Sequence, residues 1–192
     1  MVPISFGAHV MAVDRVEKRL RRVAAALQSA GIPYAIVGGN AVAAWVARAD
    51  PSATRATKDV DVLVRRTDLD AVTLAIGGLG FQRQDLRDLV LFIDPEEPSK
   101  RAGVHLIWAA EKIRPSYSVP SPSVEEAVDD PEGFRVLGLA ALVRMKLTSF
   151  RDIDRVHIAD VLSVGLITPD VRKALPIDLL GRLEEVERTA RY

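Results

Sequence analysis

A short apolar run ending at two glycines, then a helix, then a second apolar run carrying two aspartates constrains this chain more than any other feature. Tyr34 to Val37 reads as a buried strand, closed by Gly38-Gly39. Asn40 to Arg48 is alanine-rich and favours a helix, which Pro51-Ser52 breaks. Val60 to Val64 is the next strand, with Asp59 and Asp61 at its start. Side chains two apart share a strand face, so Asp59, Asp61 and Leu63 point one way and Val60, Val62 and Val64 the other. Two carboxylates on one face repel each other unless a positive charge lies between them. Mg²⁺ meets that need, because it binds through one or two carboxylates together with substrate phosphates.

The flanking residues fit a phosphate site. Gly38-Gly39 lets backbone approach a ligand closely, and a helix start offers free N–H groups to phosphate oxygens. For a glycine pair alone, a tight turn without ligand explains as much. Arg55 and Thr57 alternate with Asp59 on the same face. Arg55 has the fork of donors to pair with the carboxylates or to hold a phosphate; a salt bridge relieving Asp–Asp repulsion accounts for it equally.

The ordered set Val37-Gly38-Gly39-Asn40, then Arg55-x-Thr57-x-Asp59-x-Asp61, resembles the nucleotidyltransferase superfamily. The likeness is strongest to its small prokaryotic members: the antibiotic, toxin-like and minimal nucleotidyltransferases. The resemblance implies an α/β fold with a mixed sheet and helices, plus a C-terminal helical part. It implies a metal-dependent transfer of a nucleoside monophosphate from a nucleoside triphosphate to an acceptor hydroxyl. Asp59 and Asp61 would hold Mg²⁺, with Mn²⁺ as the alternative. Gly38, Gly39, Asn40, Arg55, Thr57 and Lys146 would bind the nucleotide. The acceptor would be a small molecule, an RNA end or a protein hydroxyl. A catalytically silent module of the same fold, kept for nucleotide or protein binding, is the competing expectation.

One departure supports that competitor. The family's third carboxylate sits mid-strand, whereas this chain reads Val104-His105-Leu106. An imidazole can act as general base near its ordinary pKa of about 6.5. It is a poor ligand for Mg²⁺ and a better one for Mn²⁺ or Zn²⁺. His105 as an ordinary half-buried strand residue is the plain alternative.

Elsewhere, Val13, Val16, Leu20, Val23 and Leu27 recur at helical spacing, with Gly31 and Pro33 ending the helix. Its charged side (Asp14, Glu17, Lys18, Arg19, Arg21, Arg22) reads as solvated. Thr67 is expected to cap a helix ending at Gly77-Gly78. A polar strand after Gly80-Phe81, then strands over Leu89–Ile93 and Val104–Trp108, complete a mixed sheet with helices on one side. Residues 113–123 form a proline- and serine-rich crossing segment, and Ser123-x-x-Glu126 matches a capping box. In the helix Leu139 to Phe150, Lys146 falls on the apolar stripe, so it either serves the site or snorkels to water. Asp152 or Asp154 is expected to cap the next helix, which ends at Gly165 and carries His157 and Asp160 one turn apart. Thr168-Pro169 opens a final helical pair. The division expected is 1–112 for the core with its N-terminal helix and 113–192 for the crossing segment and helical part.

Composition narrows the partners. Lys+Arg and Asp+Glu number 26 each, which argues against wrapping duplex DNA. The chain has no cysteine, hence no disulfide or thiolate chemistry, in keeping with a cytoplasmic protein. Met1 to Ala12 lacks the basic start of a signal peptide, and no apolar stretch is long enough for a membrane span.

Overall fold

Strand β1 (Tyr34–Val37) is buried along its whole length because it lies inside the sheet and pairs on both edges. The computed structural model describes residues 6–87 and 89–190. The expectation for Met1 to Ala12 falls in part on residues 1–5, outside that range. In chain order, α1 (Phe6–Ser29) precedes β1, and α2 (Gly38–Ala49), β2 (Val60–Val64), α3 (Leu69–Gly77), β3 (Gln82–Leu86) and β4 (Leu89–Ile93) follow it. Next come β5 (Val104–Trp108), β6 (Ala127–Asp129), β7 (Arg135–Leu137), α4 (Leu139–Ser149) and α5 (Asp152–Ser163), and finally α6 (Pro169–Lys173) and α7 (Ile177–Thr189). The strands form one mixed sheet in the order β3-β4-β5-β2-β1-β7-β6. The α/β nucleotidyltransferase-like architecture expected from the sequence is the one observed. Among the described residues, no helix is long and apolar enough to cross a membrane.

The alternation in β2 and β5 sorts the sheet into two faces. Val60, Val62, Val64, Val104 and Leu106 are all buried in the core. Asp61, His105 and Ile107, on the opposite face, are half-buried and line a cavity of about 460 Å³. Residues of α4 and α5 close that cavity from the other side.

Several local expectations need correction. Thr67 does not cap α3: the chain enters through a 3₁₀ turn over Arg66–Asp68, so Thr67 sits inside that turn and Asp68 takes the cap position. Arg151 takes the N-cap position of α5, and Asp154, three residues on, accepts the Arg151 backbone N–H at 3.2 Å. The capping box of Ser123 and Glu126 is present as expected, on the short 3₁₀ helix Val124–Glu126. Strands β6 and β7 have no counterpart in the elements expected from the sequence. Asp130-Pro131-Glu132-Gly133 makes their turn, with Gly133 at φ +87°. Strand β7 then pairs parallel with β1 through Ile36 and Val136, so the sheet draws on chain beyond residue 112. Arg19, expected on a solvated face, is 1% exposed.

Candidate active site

The register brings the site together. In the parallel pairing of β2 with β5, Asp61 lies opposite His105, and in the antiparallel pairing of β1 with β2 it lies opposite Val37. Opposed residues share a face, so His105 points at the aspartates. Its Nδ1 is 3.3 Å from Asp61 Oδ1 and 3.6 Å from Asp59 Oδ2.

The glycine turn completes the floor. Gly38 has φ +68°, and a Cβ there would stand 1.9 Å from Asp61 Oδ2 and 2.9 Å from Asp61 Cβ. Only hydrogen fits between the turn and the carboxylate. Gly39 is nearly as tight against Thr57, where a Cβ would lie 3.0 Å from Oγ1. Thr57 Oγ1 donates to Asp59 Oδ1 at 2.8 Å and so orients that carboxylate. Asn40 Nδ2 donates to the Asp59 backbone carbonyl at 2.7 Å, tying the start of α2 to the entry of β2.

The second imidazole nitrogen of His105 defines its chemistry. Nε2 lies 3.0 Å from the Lys100 carbonyl, which can only accept, so Nε2 carries a proton. Nδ1 faces the two carboxylates, so in the protonated ring its N–H donates to Asp61, and a cation would take the place of that proton. The hydrogen bond to Asp61 raises the His105 pKa above its ordinary value; burial opposes this, and the Lys100 carbonyl and both carboxylate charges add to it. One ligand atom each from Asp59, Asp61 and His105 lies within 4.8 Å of the others. Two carboxylate oxygens and an imidazole whose far nitrogen is held from behind by the Lys100 carbonyl suit a divalent cation.

Lys146 borders the same cavity, but it neither snorkels nor stands free. Its Nζ donates to Asp154 Oδ1 at 3.1 Å, both groups being buried. Asp154 also accepts from Arg151 Nε and Ser149 Oγ, each at 2.7 Å. Burial pushes the Asp154 pKa up, but Arg151, Lys146 and Ser149 outweigh it and hold the carboxyl at about 2. Lys146→Met should therefore cost about 2 kcal/mol, less than a wholly broken buried pair, because Arg151 and Ser149 remain on Asp154. Chemical denaturation of the variant reads that loss directly, and unchanged stability would mean that Asp154 does not need the ammonium.

Arg55 is not brought to the aspartates. It pairs with Asp160 of α5 through Nε at 2.8 Å and lines a separate crevice of about 20 Å³ behind Gly39. His157 borders both spaces, and its buried Nδ1 has no hydrogen-bond partner among the described residues. Burial, with help from the Lys146 charge, lowers its pKa to about 4, so it is neutral at pH 7. The sequence reading assigns no site role to Arg151, Tyr117 or Ile113, all of which line the large cavity. The Arg-Asp-x-Asp start of α5 is the available signal for Arg151. Nothing in the crossing segment marks Ile113 or Tyr117.

Comparison with protein-family models and with curated proteins finds no match. Solved structures do match, and this chain shares the fold of nucleotidyltransferases. The solution structure of antibiotic-resistance factor ANT(2'')-Ia superposes with a TM-score of 0.57 at 16% identity, over 93% of each chain. Its crystal structure with adenylyl-2''-tobramycin gives 0.50 at 16% identity, over 93% of this chain and 97% of that one. An antigenic nucleotidyltransferase-like protein from Paracoccidioides brasiliensis gives 0.53 at 16% identity, over 93% of both. At this identity the likeness is one of fold.

Proposed function

We propose that this chain is a metal-dependent nucleotidyltransferase that moves a nucleoside monophosphate from a nucleoside triphosphate to an acceptor hydroxyl. The observation that carries this reading is the convergence of Asp59, Asp61 and His105 on the floor of a 460 Å³ cavity. The fold likeness to ANT(2'')-Ia, one structure of which holds adenylyl-2''-tobramycin, supports it. So does the orientation of His105 toward the aspartates, which brings a third ligand atom to the pair.

In this reading the acceptor hydroxyl gives up its proton to solvent as its oxygen bonds to the α-phosphorus, the bond from that phosphorus to the α,β-bridging oxygen breaks, and pyrophosphate leaves. Asp59, Asp61 and His105 Nδ1 would hold a Mg²⁺ or Mn²⁺ ion, which would supply charge neutralisation at the transferring phosphate and lower the acceptor's pKa. Gly38 and Gly39 let the phosphates approach the start of α2. Lys146, at the cavity wall, serves the outer phosphates. With Nε2 engaged on Lys100, His105 acts here as a ligand rather than as the general base expected from the sequence. Arg55, which lines the separate crevice and not this cavity, has no phosphate role in this reading.

Screening nucleoside triphosphates with Mg²⁺ or Mn²⁺ for pyrophosphate release tests the reaction, with candidate small-molecule, RNA and protein acceptors present. Thermal stabilisation by nucleotide that requires the metal is the expected companion result. Nucleotide binding without metal dependence, or no binding at all, would overturn the reading in favour of a silent module.

His105→Asp separates the ligand role further. A hard oxygen donor in place of nitrogen should strengthen Mg²⁺ binding relative to Mn²⁺. In the parent, protonation of His105 competes with the metal, so affinity should rise with pH through the raised imidazole pKa. In the variant that rise should vanish. Calorimetric titration of both metals across pH checks the two outcomes, and equal metal preference in both proteins would remove His105 from the ligand set.

A further inference from the structure

Arg19 stands in the middle of the charged side of α1, yet it is 1% exposed. Its Nε donates to Asp94 Oδ2 at 3.0 Å, its Nη2 to Glu97 Oε2 at 2.8 Å, and its Nη1 to the Lys58 carbonyl at 3.4 Å. Arg15 and Arg22 flank it, the first 3.5 Å from Glu97 and the second 3.7 Å from Asp94.

A buried ion pair of this kind is weak grounds for stability, since its desolvation offsets much of the attraction and apolar residues often do as well. What the fork of donors adds is geometry. Lys58 contributes the peptide unit that leads into Asp59. Asp94 and Glu97 open the segment between β4 and β5. From there the Glu97 carbonyl accepts from the Ser99 N–H at 2.7 Å, and the Ser99 carbonyl from the Ala102 N–H at 3.0 Å. Between those two residues lies Lys100, whose carbonyl accepts from His105 Nε2 and so orients the ring. A single planar group thus grips both segments that deliver the ligand atoms.

We infer that Arg19 is a positioning residue: it sets the spacing between Asp59 and the Lys100 carbonyl, and with it the orientation of His105 toward the metal position. This rests on the metal-ligand reading of Asp59, Asp61 and His105. Like other groups that orient ligands from behind, Arg19 should be worth about 10–100-fold in metal affinity.

Arg19→Gln should weaken Mn²⁺ binding by that factor in calorimetric titration. In the metal-free protein, ¹⁵N NMR should show the His105 Nε2–H, held on the Lys100 carbonyl in the parent, exchanging faster with solvent. Arg22→Gln, which also loses a contact to Asp94 but touches neither Lys58 nor the site, should leave both readouts as in the parent. If Arg19→Gln lowers only the melting temperature, with the Mn²⁺ affinity and the His105 Nε2–H exchange unchanged, Arg19 is structural and the inference falls. Should Arg19→Gln not fold, Glu97→Gln cuts one arm of the fork at a part-exposed partner and must move both readouts in the same direction. A parent protein that binds no Mn²⁺ would overturn the proposed function, and the metal-free NMR comparison would then decide the role of Arg19 alone.

Discussion

Replacing Asp59 and Asp61 together by Asn is expected to abolish metal-dependent nucleotide binding while the protein stays folded. Both side chains are part-exposed on the cavity floor, so neither holds the core together. The amide oxygen introduced by Asp59→Asn would still accept from Thr57 Oγ1. The amides remove both anionic oxygens that face His105 Nδ1, leaving a neutral imidazole as the remaining donor of the cluster. A metal at a transferring phosphate supplies several kcal/mol of charge stabilisation, so transfer should fall by about 10³-fold or more. A second consequence checks the electrostatics without any nucleotide. The carboxylates raise the pKa of His105, and such a group stabilises the fold below the imidazole's unfolded value and loses that effect as pH climbs through its folded value. In the double variant that loss of stability on going alkaline should shrink. A double variant that still binds nucleotide only with metal would move the site elsewhere.

How much of the fold and site is legible in the sequence follows from which interactions are local. Strands β1, β2, β4 and β5 and helix α2 can be read because apolar runs, a glycine pair and an alanine-rich segment are patterns along the chain. The face shared by Asp59 and Asp61 follows from strand periodicity alone. That His105 shares it depends on the parallel pairing of β2 with β5, which the sequence does not specify, although the family resemblance supplies it. Lys146 is recognisable as a charge needing a partner, but Asp154 reads from the sequence as a helix cap. Its true role needs the turn at Phe150, with φ +48°, that folds α5 back toward α4. Arg19 escapes for the same reason. Its partners Asp94 and Glu97 lie on a segment 75 and 78 residues away, so helix patterning shows only a basic side. Strands β6 and β7 are hidden because three residues are too few to show alternation, and the Asp-Pro-x-Gly turn between them is their only cue.

Gly38→Ala should be among the most damaging single changes, and comparison with Gly31→Ala separates its two causes. Both glycines have nearly the same left-handed backbone, φ +68° and +65°. Alanine in that region costs about 1–2 kcal/mol. At Gly31 a new Cβ meets nothing within 4 Å, so Gly31→Ala should show that strain alone and keep full metal binding. At Gly38 the Cβ would overlap Asp61 Oδ2 at 1.9 Å and crowd Cγ and Cβ at 2.8 and 2.9 Å. Rotating the carboxylate does not relieve contacts to Asp61 Cγ and Cβ, so the strand and the turn must separate. Adding that overpacking to the backbone strain brings the expected loss to about 3 kcal/mol. Because Asp61 is the residue displaced, metal affinity should fall with stability, by about tenfold or more. Denaturant unfolding and Mn²⁺ titration of both variants, below their melting temperatures, give the comparison. If Gly38→Ala loses no more than Gly31→Ala and binds Mn²⁺ as the parent does, the close seating of the glycine turn against Asp61 is not what shapes the site.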